Sequence, residues 1–194
     1  MAAFGERASG YEDGWLGRLH HEIADRCADL ALARSPSPRR VLDVGCGTGY
    51  LLRRLAQSCP AATELAGIDA APEMVQAARQ AAAADGRLSF EIGTAEHLPY
   101  PAGTFDLVVS TTSFDHWADQ RAGLAQCARV LAPDGYLVLA DLFSVWLLPT
   151  LAGGRRHKAR TRRRAGQLLT AAGLRPVACQ RLYPFLQAVT AGKP

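Results

Sequence analysis

Hydrophobic positions along this chain follow two rhythms. Short apolar runs, Val41 to Val44, Glu64 to Ile68, Leu88 to Ile92, Phe105 to Ser110 and Tyr136 to Ala140, have the length and residue types of buried strands. Between them, apolar residues recur every third or fourth position, as on one face of a helix, over Tyr50 to Ser58, Pro72 to Ala84, Gln120 to Leu131 and Ala165 to Gly173. An earlier stretch, Tyr11 to Ala33, spaces Trp15, Leu19, Ile23, Cys27, Leu30 and Ala31 in the same way, and Ser35-Pro-Ser-Pro38 ends it. Strands alternating with helices predict a doubly wound α/β sheet. Two closing runs, Val177 to Tyr183 and Phe185 to Thr190, predict an antiparallel hairpin about Pro184.

The first strand ends on an acid and runs at once into Gly45-Cys-Gly-Thr-Gly49, followed by a helix. Residues without Cβ accept positive φ and let a ligand approach the backbone, and the loop delivers that ligand to a helix N-terminus. Asp43, two residues before the first glycine, is a carboxylate that can hold an ammonium through the loop. The second strand ends on Asp69, twenty residues beyond Gly49, where a carboxylate suits the two hydroxyls of a ribose. The spacing is G-x-G-x-G, whereas dinucleotide binders read G-x-G-x-x-G, which counts against an NAD-dependent oxidoreductase.

Bulk properties narrow the class. The 194 residues, 48% hydrophobic and 21% charged, suit one globular domain with a sizeable core. No apolar run has the length of a membrane span and the N-terminal residues lack the order of a signal peptide, so a cytoplasmic enzyme is expected. The five cysteines, Cys27, Cys46, Cys59, Cys127 and Cys179, contain no C-x-x-C pair, which argues against a zinc site or a disulfide framework. No metal is expected. The net charge of +4 is local: Arg155 to Arg164 holds seven basic residues and no acid, and without them the balance would be −3.

Together these segments resemble the class I S-adenosylmethionine-dependent methyltransferases, small-molecule enzymes whose first motif is D-x-G-x-G-x-G. Here it reads Asp43-Val-Gly45-Cys46-Gly47-Thr-Gly49. The resemblance continues through Gly93-Thr-Ala-Glu-His-Leu-Pro, the Ser110 to Trp117 segment and Leu131-Ala-Pro-Asp-Gly-Tyr-Leu-Val-Leu139. It implies a three-layer Rossmann-like sandwich with a seven-stranded, mostly parallel sheet in the order 3-2-1-4-5-7-6, strand seven antiparallel. It also implies S-adenosyl-L-methionine as cofactor, S-adenosyl-L-homocysteine as product and a small-molecule acceptor.

The cofactor-binding residues implied are Tyr11, Asp43, Gly45, Cys46, Gly47, Gly49, Asp69, Ala70, Met74, Thr94, Ala95, Glu96 and Ser110. Tyr11 stands where relatives place a tyrosine near the methionine carboxylate, and it can equally pack the cap. Met74 corresponds to a residue against the adenine face, or is plain core. Thr94 replaces an acid that accepts from the adenine amino group, so its hydroxyl offers a weaker bond. In the loop after strand four, His116 and Trp117 match, and Asp115 replaces a first histidine. His116 is the candidate general base with Asp115 orienting it, the alternative being a structural His-Trp pair. Asp141 either reaches the substrate or caps its loop.

The resemblance divides one methyltransferase domain, 1-194, into a helical cap over 1-38, a cofactor-binding core over 39-141, a substrate-lid segment over 142-164 and a C-terminal helix and hairpin over 165-194. The basic run admits an anionic small-molecule substrate, a nucleic acid, or a solvated helix start. No membrane partner is expected, and the chain is read as a monomer or homodimer. The alternatives to small-molecule methylation are an RNA methyltransferase that uses the run, and an S-adenosylmethionine-binding enzyme that catalyses a cyclisation.

Overall fold

The computed structural model describes residues 14–143, 158, 159, 161–183 and 186–194. Seven strands, β1 (Arg40–Val44), β2 (Glu64–Asp69), β3 (Leu88–Ile92), β4 (Phe105–Thr111), β5 (Leu131–Leu142), β6 (Arg175–Arg181) and β7 (Leu186–Gly192), form one sheet in the order β3-β2-β1-β4-β5-β7-β6. The pairs β2·β3, β1·β2, β1·β4 and β4·β5 are parallel, and β7 is antiparallel to both β5 and β6. Among the described residues five α-helices flank it: α1 (Trp15–Arg34), α2 (Tyr50–Ser58), α3 (Pro72–Ala81), α4 (Gln120–Val130) and α5 (Arg162–Ala171).

Strand period decides which face each side chain covers. Val41, Leu65, Leu107 and Val138 pack with α1, α2 and α3, while their neighbours Leu42, Ala66, Val108 and Leu137 pack with α4 and α5. Both faces of the central strands are therefore dry, which is why these strands read as nearly continuous apolar runs.

Local chemistry sets the helix ends. Asp119 caps α4, its carboxylate accepting from the amides of Arg121 and Ala122. Pro72 opens α3 with Glu73 in its first turn, and Thr161 caps α5.

Several boundaries differ from the sequence reading. Strand β5 begins at Leu131, ahead of the Pro-Asp-Gly segment and of the run read from Tyr136. Phe105 pairs with Leu131 and Leu107 with Tyr136, so the intervening residues loop out of the ladder, with Asp134 at φ 60°. Strands β6 and β7 sit about two residues from the limits read from the sequence, because β7 takes its register from β5 and β6 takes its own from β7. Pro184 and Tyr11 lie outside the described residues. Trp15, expected on the packed face of α1, is 67% exposed, and the buried stripe starts near Ile23.

Candidate cofactor and acceptor site

The glycine loop leaves β1 at the point where the sheet order reverses, since β1 lies between β2 and β4. Gly45, Gly47 and Gly49 all have positive φ, 80°, 52° and 76°. They differ in surroundings. A Cβ on Gly45 would collide with Ser113, and one on Gly49 would meet the Phe90 ring at 2.7 Å. A Cβ on Gly47 would meet nothing within 4 Å. Gly45 and Gly49 thus answer to packing, and Gly47 leaves an open approach to its backbone.

The carbonyl of Ile68 accepts from the amides of Gly45 and Cys46 at 2.7 and 3.0 Å, tying the loop to the end of β2. One residue on, Asp69 accepts from Gly47 N–H through Oδ2 at 2.8 Å and from Ala71 N–H through Oδ1 at 2.9 Å. Each carboxylate oxygen retains acceptor capacity. Asp69 is half-buried and Ala70 is exposed beside it.

Asp43 is only 2% exposed, and its Oδ1 has no hydrogen-bond partner among the described residues. Burial, reinforced by the charge of Asp69, pushes its carboxyl up to about 8. Cys46 lies buried in the loop, and burial together with the charges of Asp43 and Asp69 raises its thiol well above the ordinary range, so it is no thiolate nucleophile.

Further along, Met74 is buried in the first turns of α3. Ala95 is buried against the position a Gly123 Cβ would take, and Thr94 is exposed, bridging to His97. The Glu96 side chain accepts from the amide of Asp119 at 2.9 Å, so this carboxylate supports the start of α4.

Ser110 is fully buried at the end of β4. Its hydroxyl shares a 2.8 Å hydrogen bond with Ser113, whose own hydroxyl donates to the Val44 carbonyl at 2.8 Å and accepts from the Trp117 indole at 3.3 Å. Ser113 thereby joins the glycine-loop strand to the β4 loop.

That loop forms a single helical turn of the 3-10 type, Phe114–His116, with Asp115 half-buried and His116 exposed at its end. The buried carboxylate of Asp141 accepts from the amides of Asp115 and Leu142, at 3.1 and 2.6 Å, which is the loop-capping role. Burial raises the Asp141 carboxyl, and the hydrogen bonds from the Leu142 and Asp115 amides oppose that shift. Gln120, 4% exposed, donates to the Phe114 carbonyl at 3.0 Å and accepts from the Ala159 amide at 2.6 Å. Lys158 donates to the carbonyl of Trp117. Residues 144–157 and 160, including most of the expected lid, lie outside the described residues. Within the basic run, Lys158 is spent on the β4 loop while Arg162, Arg163 and Arg164 are exposed in the first turn of α5.

Ser113 and Gln120 were not singled out from the sequence. The spacing Ser110-x-x-Ser113-x-x-x-Trp117 carries a faint signal for the first; nothing local marks a helix-start glutamine as a buried bridge. Among the described residues no cluster of three or more His, Cys, Asp or Glu could hold a metal, and no helix is long and apolar enough to cross a membrane.

The sheet order defines a Rossmann-like domain of the class I methyltransferase type. Residues 41–135 match the family described as a methyltransferase domain, which places this part of the chain in that family. The chain is 41% identical over 133 residues to the demethylmenaquinone methyltransferase of Deinococcus radiodurans, covering 68% of this chain and 51% of that protein. It is 36% identical over 138 residues to the malonyl-[acyl-carrier protein] O-methyltransferase of Geobacter sulfurreducens, covering 71% of this chain and 51% of that one. The chain thus spans about half the length of these curated relatives. In fold it resembles a chain from the complex between the Haloferax volcanii Trm112 methyltransferase activator and a methyltransferase, with a TM-score of 0.83 at 23% identity over 99% of this chain and 98% of that one.

Proposed function

We propose that this protein transfers a methyl group from S-adenosylmethionine to an oxygen, nitrogen or carbon nucleophile of a small-molecule acceptor. The observation that carries the reading is the pairing of a buried carboxylate with an open backbone: Asp43 lacks a partner for Oδ1 among the described residues, beside a glycine loop whose central residue faces free space.

In this reading Asp43 holds the amino group of the cofactor, the Gly47 backbone admits its methionine end, and Asp69 receives the ribose hydroxyls on the lone pairs left over by Gly47 and Ala71. Met74 and Ala95 flank the base, and Thr94 meets its amino group. When bound, the cofactor supplies an already activated methyl on a sulfonium, so the protein's main work is alignment and exclusion of water. His116 stands at the carboxyl end of the sheet, where an acceptor must enter, and takes the acceptor's proton if the nucleophile has one to lose. Asp141 and Asp115 hold the turn that presents it.

The names of these two relatives point to a demethylmenaquinone and a carrier-bound malonyl group as acceptor classes, and the carboxylate of the second agrees with a basic surface at Arg162 to Arg164. The test is a screen of quinols, phenols and carrier-bound acids that reads formation of S-adenosylhomocysteine. Acceptor-dependent product that disappears in Asp69→Ala is expected. Cofactor that binds but is never consumed with any nucleophile would contradict the methyl-transfer reading.

A further inference from the structure

Asp43 holds a consequence beyond which ligand it contacts. It is the penultimate residue of β1, on the face covered by α1 and α2, and the titratable groups that act with it are Asp69 at the end of β2, Cys27 on α1 and Cys46 in the loop. The Thr111 hydroxyl on β4 is turned to the Cys27 sulfur, at 3.2 Å. Among the described residues, the charge acting on Asp43 is that of another carboxylate. Burial raises the thiols of both cysteines above the ordinary range, that of Cys27 to about 12, so both stay neutral, and a cysteine offers a carboxylate no positive charge in either form.

A carboxylate ion in such a place is desolvated and repelled, and its Oδ1 finds no donor among the described residues. The chain resolves this by keeping the group neutral, unless a cation arrives. We infer that Asp43 rests as the carboxylic acid and gives up its proton when the ammonium end of the cofactor docks, so that cofactor binding releases one proton. This inference rests on the cofactor reading above. The balance is simple: the carboxyl O–H breaks, the proton passes to buffer, and the carboxylate left behind pairs with the ligand's ammonium; nothing is oxidised or reduced.

Two properties follow. Affinity for ligands that carry the ammonium rises with pH until Asp43 ionises on its own, near the value of about 8 to which its surroundings push it, by up to about tenfold per pH unit. Ligands without the ammonium, such as adenosine, gain nothing from that rise, so Asp43 discriminates on charge as well as on shape.

The experiment is calorimetric titration at about pH 6.5, where an α-amino group is already protonated, in two buffers of different ionisation enthalpy. The ligands are S-adenosylmethionine, S-adenosylhomocysteine and adenosine. Release of close to one proton with the first two, and none with adenosine or in Asp43→Asn, is expected. Binding of S-adenosylmethionine with buffer-independent heat would overturn the inference while leaving the cofactor reading intact; no binding heat at all would overturn both. Infrared spectroscopy of the wild-type protein alone gives a second readout, should Asp43→Asn fail to fold. A protonated carboxyl band is expected at neutral pH that fades as pH passes about 8, and its absence at neutral pH overturns the inference.

Discussion

Asp69 holds Gly47. The carboxylate at the end of β2 reaches across the sheet to the backbone amide of the middle glycine, 2.8 Å away, and so sets the conformation of the one loop residue whose missing Cβ leaves open space. One side chain both shapes the loop and faces the ligand. Asp69→Ala is therefore expected to weaken S-adenosylmethionine binding by more than about 1 kcal/mol, about fivefold or more. Asp69→Asn is expected to do little better when its NH₂ faces Gly47 or Ala71, since two donors then oppose each other. Equilibrium titration checks both, and unchanged affinity in Asp69→Ala would remove it from the site.

The glycines divide by what surrounds them. Gly45→Ala places a methyl onto Ser113 as well as in a left-handed conformation, and should cost roughly 2–4 kcal/mol in denaturant unfolding. Gly47→Ala meets no neighbour and should cost only the conformational strain, about 1 kcal/mol. Because both Cβ and Oγ of Ser113 stand in the way, Ser113→Gly, rather than Ser113→Ala, should recover part of the Gly45→Ala loss. Equal losses for the two glycines would contradict the packing distinction.

Asp43 makes the unliganded protein pH-sensitive in a defined direction. Its folded-state carboxyl is raised from an ordinary 3.8 to about 8, so over that interval the folded state binds the extra proton. The stability it contributes is whole below about pH 4 and is lost progressively as pH rises to about 8, at no more than about 1.4 kcal/mol per pH unit. Asp43→Asn should flatten that slope and stabilise the unliganded protein at pH 8 while weakening cofactor binding. Thermal unfolding from pH 5 to 8 on both proteins reads the difference.

Gln120 is the hinge between the β4 loop and the chain that returns after β5. Gln120→Met keeps the volume and removes both bonds, to the Phe114 carbonyl and from the Ala159 amide. A loss of roughly 2–4 kcal/mol in unfolding free energy is expected from two buried polar groups left unpaired, with cofactor affinity kept within about threefold. A loss below about 0.5 kcal/mol would show that neither bond matters.

His116→Ala should lower the rate by about 10²-fold or more with an acceptor that must lose a proton, and leave cofactor binding unchanged. A loss under tenfold would return His116 to a purely structural part beside Trp117.

The strands and the glycine loop were legible because their signals are local. A buried parallel strand must be apolar on both faces, and a loop with three residues at positive φ selects glycine whatever the rest of the chain does. The register of β6 and β7 was not, because β7 pairs with β5, a partner far away in sequence, and β6 follows β7. The start of β5 at Leu131 was hidden for the same reason: whether the chain around Pro-Asp-Gly joins a ladder depends on Phe105 and Leu107 opposite. Asp43 and Asp69 could be placed by spacing, whereas the partnerless burial of one and the amide contacts of the other needed the folded chain. Ser113 and Gln120 act on residues far away in sequence, Val44 and Ala159, and no neighbouring residue announces either role.

The central claim is that the Asp43–Asp69 loop binds S-adenosylmethionine. Calorimetric titration of the purified protein with S-adenosylmethionine, S-adenosylhomocysteine and NAD in parallel tests it most directly. Micromolar binding of the first two with none for NAD is the expected result. Binding of NAD alone would contradict the account from Asp43 onward.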